Sequence, residues 1–329
     1  MNIFHDLSSL PPEFALKGAA VAVGNFDGVH IGHRRLLNEL LGVACKRDLV
    51  PVVLTFFPHP RHFFGDPADT PQITSQAKKM ALLAETGVAC AIVLPFNQEL
   101  ADMEAETFVR GILAGNLRAR AVVIGENASL GKDKRGNYAL LRALGRQLAG
   151  EGAGQGFSVR AVPRLRAGQQ AVSSGLIREL IQTGRMVEAA ELLGRFHSVD
   201  GQVVHGAQRG RELGFPTANL EPDLDLVPPD GVYAAWLKRG GLYYPAVVSI
   251  GSNPTFGDDG LRIEAHIPGF SEDIYGERLS LLFVERLREM IKFPNIQSLI
   301  IQVNTDIVQA KAVLADTVLR GTAPEPRRG

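Results

Sequence analysis

Val21-Ala-Val-Gly-Asn-Phe-Asp-Gly-Val-His-Ile-Gly-His33 is a short apolar run that ends in glycine and leads into two histidines three residues apart. The run predicts a strand, Gly24 and Gly28 a tight turn, and the residues beyond it a helix. Leu36, Leu37, Leu40, Leu41 and Ala44 recur at helical spacing, while Arg34, Arg35, Asn38 and Glu39 take the other faces. His30 and His33 thus fall at a helix start, where backbone N–H groups and the positive end of the dipole favour an anion. Phosphoryl or nucleotidyl chemistry is the first reading. A metal site is the weaker one, because the two histidines have no Cys, Glu or third His at a ligand spacing.

The pattern around this stretch is α/β. Strand-like runs at Ala19–Val23, Val50–Phe56, Cys90–Phe96, Ala121–Gly125 and Phe157–Val162 alternate with helical patterns at His33–Cys45, Gln76–Glu85, Glu104–Leu113, Tyr138–Ala149 and Gly175–Ile181. Such alternation predicts a parallel sheet covered by helices, a Rossmann-like layout whose ligands bind at the carboxyl ends of the strands. The histidine turn falls at such an end. After Gly184 and a short helix at Arg185–Leu193 the texture changes. Short extended runs at Ser198–Val204, Gly231–Leu237, Tyr244–Ile250, Arg262–Ile267 and Ser280–Val284 predict a small antiparallel β-barrel, closed by a helix over Pro294–Leu314. The expected division is residues 1–184, residues 185–315 and a frayed tail at 316–329.

The bulk numbers exclude several classes. Lys plus Arg and Asp plus Glu are both 35, so no net field draws the chain to nucleic acid or an anionic membrane. No apolar run is long enough to span a bilayer, and the first residues lack a basic-then-apolar leader. Cys45 and Cys90 lie in apolar segments without a C-x-x-C pair and read as buried free thiols of a reducing, cytoplasmic setting.

A second glycine string runs Gly206-Ala-Gln-Arg-Gly-Arg-Glu-Leu-Gly-Phe-Pro-Thr-Ala-Asn219. Glycines at 206, 210 and 214 let main-chain donors approach an anion closely. If the segment after Pro216 is extended, Thr217 and Asn219 share a face and offer oxygens to a hard cation such as Mg²⁺. On composition alone, a glycine-rich turn leading into a polar strand is the preferred reading.

Both strings resemble one family. Gly24 to His33 follows, without a gap, the G-x-F-D-G-x-H-x-G-H form found in the adenylyltransferase half of bacterial bifunctional riboflavin kinase/FAD synthetases. Gly206 to Asn219 is similar to the G-x-x-x-G-R-x-L-G-F-P-T-A-N signature of riboflavin kinases, with every fixed position filled. Thr55–Pro60 resembles F-x-P-H-P, Gly251–Phe256 resembles G-x-x-P-T-F, Glu264-Ala-His266 resembles E-x-H, and Leu287–Phe293 resembles L-R-x…K-F. No Walker A string is present.

The resemblance implies two ATP-dependent steps, riboflavin to FMN and FMN to FAD, with Mg²⁺ as cofactor and riboflavin, FMN and ATP as partners. In the kinase half it implies Glu264 as base, Thr217 and Asn219 as Mg²⁺ ligands, and Arg288 at the flavin. Gly206, Gly210, Gly214 and Pro216 would lie at the nucleotide. In the other half it implies His30, His33, Ser174 and Arg178 as catalytic groups, and Gly24, Phe26, Asp27, Gly28 and Gly32 at the nucleotide. Pro58, His59, Asn97 and Asn127 would meet the flavin.

The chain departs from the family pattern twice. Where G-x-D/N-F-x-F-G is common it has Ala128 and Leu130 in the aromatic places, and where S-S-T-x-I-R is common it has Gly175 for threonine. These changes motivate the alternative of a riboflavin kinase whose first domain only binds flavin or nucleotide. An unrelated nucleotidyltransferase acting on RNA is disfavoured by the neutral charge and the flavin-kinase strings.

Overall fold

A computed structural model describes residues 1–7, 10, 17–66, 70–151, 156–206, 213–223, 226–253 and 258–319. Gly210, residues 254–257 and the tail from 320 lie outside the described residues. The chain packs as two compact units, Met1–Ser173 and Ser174–Gly329.

The first unit is built on a six-stranded parallel sheet. Its strands are β1 (Asn2–Phe4), β2 (Ala19–Val23), β3 (Val50–Phe57), β4 (Cys90–Pro95), β5 (Ala119–Gly125) and β6 (Ser158–Val162). They lie in the order β1-β4-β3-β2-β5-β6. β2 sits between β3 and β5 with all five residues buried. Its side chains alternate between two cores, as the strand period requires. Ala19, Val21 and Val23 meet Phe108, Leu113 and Leu141 on one face, and Ala20 and Ala22 meet Leu37, Leu40 and Leu83 on the other. The helices of the unit include α1 (Ile31–Arg47), α2 (Pro60–Phe64), α3 (Gln76–Ala84), α4 (Phe108–Asn116) and α5 (Tyr138–Gly150), of which all but α2 supply residues to those cores. From β2 the chain steps outward to β3 and β4, then returns to β5 on the other side of β2. That reversal opens a crevice at the carboxyl end of β2.

Three local features differ from the sequence pattern. β1 is an additional edge strand, only three residues long and paired Asn2 to Cys90, too short to show alternation. The helix expected over Glu104–Leu113 is a short turn at Ala105–Thr107 followed by π-wound α4, where a Cβ at Gly115 would press to 3.1 Å from the Arg110 carbonyl. Cys90 is buried, but Cys45 is exposed, because it lies one residue past Ala44 and off the apolar stripe of α1.

The second unit begins with α6 (Ser174–Gln182) and α7 (Met186–Leu193), which pack on each other. A closed antiparallel barrel follows, from β7 (His197–Val204), β8 (Thr217–Pro222), β9 (Gly231–Arg239), β10 (Leu242–Asn253), β11 (Asp258–His266) and β12 (Arg278–Arg288), in the order β8-β11-β10-β9-β12-β7. Tyr233, Ala235, Val248, Ile250, Ile263, Ala265 and Phe283 fill its interior. The alternate residues Val232, Ala234, Trp236 and Val247 face outward, where Ala310 and Leu314 of α8 (Ile296–Leu319) cover them. α8 begins at Ile296 and continues five residues past Leu314, to Leu319. No helix among the described residues is long and apolar enough to cross a membrane.

Trp236 is the only tryptophan and donates its indole N–H to Thr317 Oγ1 at 3.3 Å, so it reports on the α8 seam. Leu314 is 1% exposed in that seam. Leu314→Ala is expected to cost about 2–5 kcal/mol, as buried leucine truncations do. Trp236 emission should shift red at the same time, and urea unfolding followed by tryptophan fluorescence reads both changes.

Candidate active sites

At the carboxyl end of β2 the backbone leaves ordinary strand geometry. Phe26 (φ 53°), Gly28 (φ 78°) and Val29 (φ 37°) are all left-handed, a region L side chains rarely occupy. The turn is held from several directions. Thr55 Oγ1 on β3 donates to the Asn25 carbonyl at 3.2 Å, and Lys79 Nζ on α3 donates to the same oxygen at 3.4 Å. Asp27 Oδ1 accepts the Ile73 N–H at 3.0 Å, and the Gly28 N–H donates to Thr74 Oγ1 at 3.4 Å. Asp27, Thr55, Thr74 and Lys79 are all buried. Burial pushes the Lys79 ammonium down from 10.5 to about 8, against the opposing pull of Asp27.

His30 caps α1. Its Nδ1 accepts the His33 backbone N–H at 3.2 Å, which leaves Nε2 as the donor of the ring. The His33 ring stacks on it with centroids 3.6 Å apart and planes 14° apart, and Phe26 lies 5.2 Å beyond. Gly32 is required here, since a Cβ would stand 3.0 Å from the His30 ring. A Cβ at Gly24 would likewise crowd the Phe26 ring at 3.2 Å. The two imidazoles therefore form one slab at the first turn of a 17-residue helix, a surface of donors and positive dipole suited to phosphate.

The other predicted residues of this half lie after neighbouring strands. Pro58 and His59 follow β3, Asn97 follows β4 and Asn127 follows β5, so all share the carboxyl edge with the His30 turn. His59 and Asn97 act as helix caps, accepting from the Arg61 and Leu100 N–H groups at 3.1 and 2.9 Å. Asn127 is exposed, while Ala128 and Leu130 pack toward the sheet core. The same edge carries an aromatic cluster to which Phe63 and Phe64, outside every quoted motif, contribute. Phe56, Phe63 and Phe64 each meet Phe96 edge-on, with centroids 5.5–5.9 Å apart. Phe64 is 71% exposed. Ser174 opens α6 and Arg178 is buried on it, so both group by packing with the second unit.

In the barrel, β8 and β11 pair so that Asn219 stands opposite Glu264 and Thr217 opposite His266. Their sequence neighbours Ala218, Leu220, Ile263 and Ala265 face the interior core. The four polar residues therefore share the outer face, and Ser249 of β10 extends the row beyond Glu264. His266 Nδ1 donates to the Pro216 carbonyl at 2.9 Å, with the Phe215 ring 5.7 Å away, which fixes the approach to Thr217. A Cβ at Gly206 would collide with the Asn219 amide, so the glycine seats that side chain. Gly214 is left-handed (φ 84°). Arg288 Nε and Nη2 bond buried Asp306 on α8 at 2.9 and 2.7 Å, and its guanidinium lies 5.9 Å from the Phe293 ring. Among the described residues no cluster of three or more His, Cys, Asp or Glu forms a metal cage.

Known proteins match both halves in order. An FAD synthetase family model matches residues 13–176, and a riboflavin kinase model matches residues 193–314. The bifunctional riboflavin kinase/FMN adenylyltransferase of Pseudomonas fluorescens is 33% identical, with 97% of this chain and 100% of that protein aligned. The protein of the same name from Listeria monocytogenes is 34% identical over 90% of this chain and 92% of its own. A solved structure described as a macrolide-efflux protein from Streptococcus pneumoniae superposes with a TM-score of 0.82 at 30% identity, covering 94% of this chain and 98% of that one. With two domain models filled in sequence and end-to-end relatives above 30% identity, this chain belongs to the bifunctional riboflavin kinase/FMN adenylyltransferase family.

Proposed function

We propose that the barrel unit phosphorylates riboflavin to FMN and the sheet unit adenylylates FMN to FAD, each step consuming one ATP. The observation that carries the reading is the pairing of Asn219 with Glu264 on one barrel face, alongside an intact histidine slab at the β2 crevice. Matches to both family models favour two activities over a kinase with a merely binding first unit.

In the kinase step the riboflavin 5′-hydroxyl attacks the γ-phosphorus of ATP and ADP leaves. Glu264 takes the hydroxyl proton. Thr217 and Asn219 are hard oxygen donors on the same face, which suits a cation that keeps few protein ligands and binds chiefly through nucleotide phosphates. Mg²⁺ held there would neutralise charge on the phosphates as the bond is transferred. Gly206, Gly214 and Pro216 line the chain's approach to this face, Gly210 of the same string is assigned to the nucleotide by the resemblance alone, and Arg288 borders the flavin.

In the adenylyl step an FMN phosphate oxygen attacks the α-phosphorus, the bond to the β-phosphate oxygen breaks, and pyrophosphate leaves. His30 Nε2, His33 and the α1 N–H groups stabilise the charge on the phosphates in transfer. Gly24, Phe26, Asp27, Gly28 and Gly32 give the turn its shape; for Ser174 and Arg178 the resemblance alone implies catalytic roles. Pro58, His59, Asn97 and Asn127 border the flavin. Ala128 and Leu130 are occupied with the core, so the apolar platform for the flavin ring is the Phe64–Phe96 cluster, 5.8 Å between centroids. The setting is cytoplasmic, with small-molecule partners only, as the balanced charge of 35 basic and 35 acidic residues supports.

Pure protein given riboflavin and excess Mg-ATP should yield FMN and then FAD on chromatography. FMN that accumulates without FAD, even with pyrophosphatase present, would sink the adenylyl assignment. Glu264→Gln should lower FMN formation by about 10²–10⁴, the usual worth of a positioned base, and spare FMN-to-FAD conversion. His30→Asn should do the reverse, because asparagine keeps a capping oxygen for α1 while losing the imidazole. Loss of both activities in either folded variant would refute two separate sites. Phe64→Ala is expected to raise the KM for FMN by about fivefold with kcat little changed, from an aromatic contact worth about 1 kcal/mol. Steady-state adenylylation at varied FMN checks it.

A further inference from the structure

Lys79 is the feature of the first unit that its apolar surroundings do not explain. It lies 4% exposed on the face of α3 that carries Met80, Leu82 and Leu83 into the core. A leucine or methionine there would avoid the desolvation of an ammonium. The side chain instead reaches Asn25, whose carbonyl it shares with Thr55. Asn25 immediately precedes Phe26, where the backbone turns left-handed. Asp27, on the other side of Phe26, is buried with its carboxylate on the Ile73 N–H and attracts the ammonium. One short segment, Ile73 to Lys79, therefore grips the turn at three places: the Asn25 carbonyl, the Asp27 carboxylate and the Gly28 N–H.

We propose that Lys79 is a positioning residue for adenylyl transfer, its ammonium holding the Asn25 carbonyl while Ile73 and Thr74 of the same segment hold Asp27 and Gly28, so that the strained turn presents His30, His33 and the α1 N–H groups to ATP. The inference rests on the assignment of that turn to ATP. Strained non-glycine backbone persists only where its surroundings over-determine it, and here the carbonyl that leads into the strained residues is held by one cation and one hydroxyl. Asp27 is the charged group acting on Lys79 from the turn; Thr55 of β3 and Thr74 bring only hydroxyls, α1 brings His30 and His33 at the far end of the turn, and α3 itself carries Lys78 beside it.

The clamp has a pH signature. The ammonium titrates at about 8 when folded and at 10.5 otherwise, so above pH 8 the site loses its cation. Between those values the unfolded chain binds more protons, and this residue's contribution to stability therefore rises with pH. An alkaline fall in adenylylation is thus not unfolding at this residue.

The test compares the full-length chain with Lys79→Met and Lys79→Arg across pH 6.5–9.5, following FMN-to-FAD conversion, with riboflavin phosphorylation by the same chain as the control for folding. Wild type should show an alkaline limb near pH 8 in adenylyl kcat/KM for ATP that the kinase reaction lacks. Lys79→Met should lose at least tenfold in adenylyl kcat/KM and lose the limb. Lys79→Arg, charged throughout, should recover part of the rate without the limb. A Lys79→Met chain with wild-type rate and pH profile would overturn the proposal, as would a limb that survives in both variants. Amide exchange of residues 24–33 separates the two levels of inference. If wild type makes no FAD, the assignment of the turn fails; if exchange there is no faster in Lys79→Met, the clamp fails on its own account.

Discussion

The buried polar groups of the Gly24–Val29 turn set the terms for the first unit. Backbone that leaves the centre of a parallel sheet and must re-enter a helix within a few residues cannot stay in the β region. It bends through left-handed conformations at Phe26, Gly28 and Val29 instead. Such a turn exposes carbonyl and N–H groups to an apolar interior, and each needs a partner. β3 supplies Thr55, and the segment before and within α3 supplies Ile73, Thr74 and Lys79. The layout follows from that requirement. Only a strand flanked on both sides, with a helix capped by His30 directly behind it, can hold the turn so that its histidine slab faces the crevice.

The barrel solves the same problem of gathering polar groups by register. β8 and β11 are antiparallel, and a single residue of slip would send Asn219 and Glu264 into a core of Tyr233, Ile250, Ile263 and Phe283. The apolar alternation of both strands forbids that slip. The chemistry-bearing face is thus a by-product of the barrel's need to fill its interior. His266 adds a local restraint by holding the Pro216 carbonyl, and Gly206 leaves space for the Asn219 amide. Arg288 and Asp306 fasten the end of β12 to α8, near the edge where the flavin is proposed to lie.

Strand and helix positions in the first unit were legible because burial on both faces writes nearly continuous apolar runs, as in Val52–Leu54 and Ala91–Leu94. β1 was not, since three residues at a sheet edge show no period. β8 was readable only conditionally: Thr-Ala-Asn-Leu-Glu-Pro alternates, but its glycine-rich lead-in reads equally well as loop. The motif residues were legible in both halves, whereas their supports were not. Thr55 and Lys79 are distant in sequence from the turn they hold, and each sits inside an element whose own pattern accounts for it as filler. The Phe63–Phe64 pair was hidden for the same reason, being an unremarkable apolar doublet until β4 brings Phe96 against it. Cys45 was misjudged as buried because composition of a window cannot replace its angular position on α1.

The departures at 128 and 130 take on a different meaning in three dimensions. In a flat motif comparison, an aliphatic residue in place of an aromatic one is a lost ligand contact. Here Ala128 and Leu130 are anchored elsewhere, packing toward the sheet core, with Leu130 bridged to Gly136 by reciprocal backbone bonds at 3.1 and 2.9 Å. A Cβ at Gly136 would clash with Leu130, so the pair is fitted as a unit. A larger ring at 130 would have to displace that unit. Aromatic surface on the carboxyl edge is carried instead by Phe57 and Phe64, 46% and 71% exposed. Exposed aromatic rings of this size cost solvation unless something covers them, and this sheet edge, which also gathers His30, His59, Asn97 and Asn127, is where the flavin ring is proposed to lie.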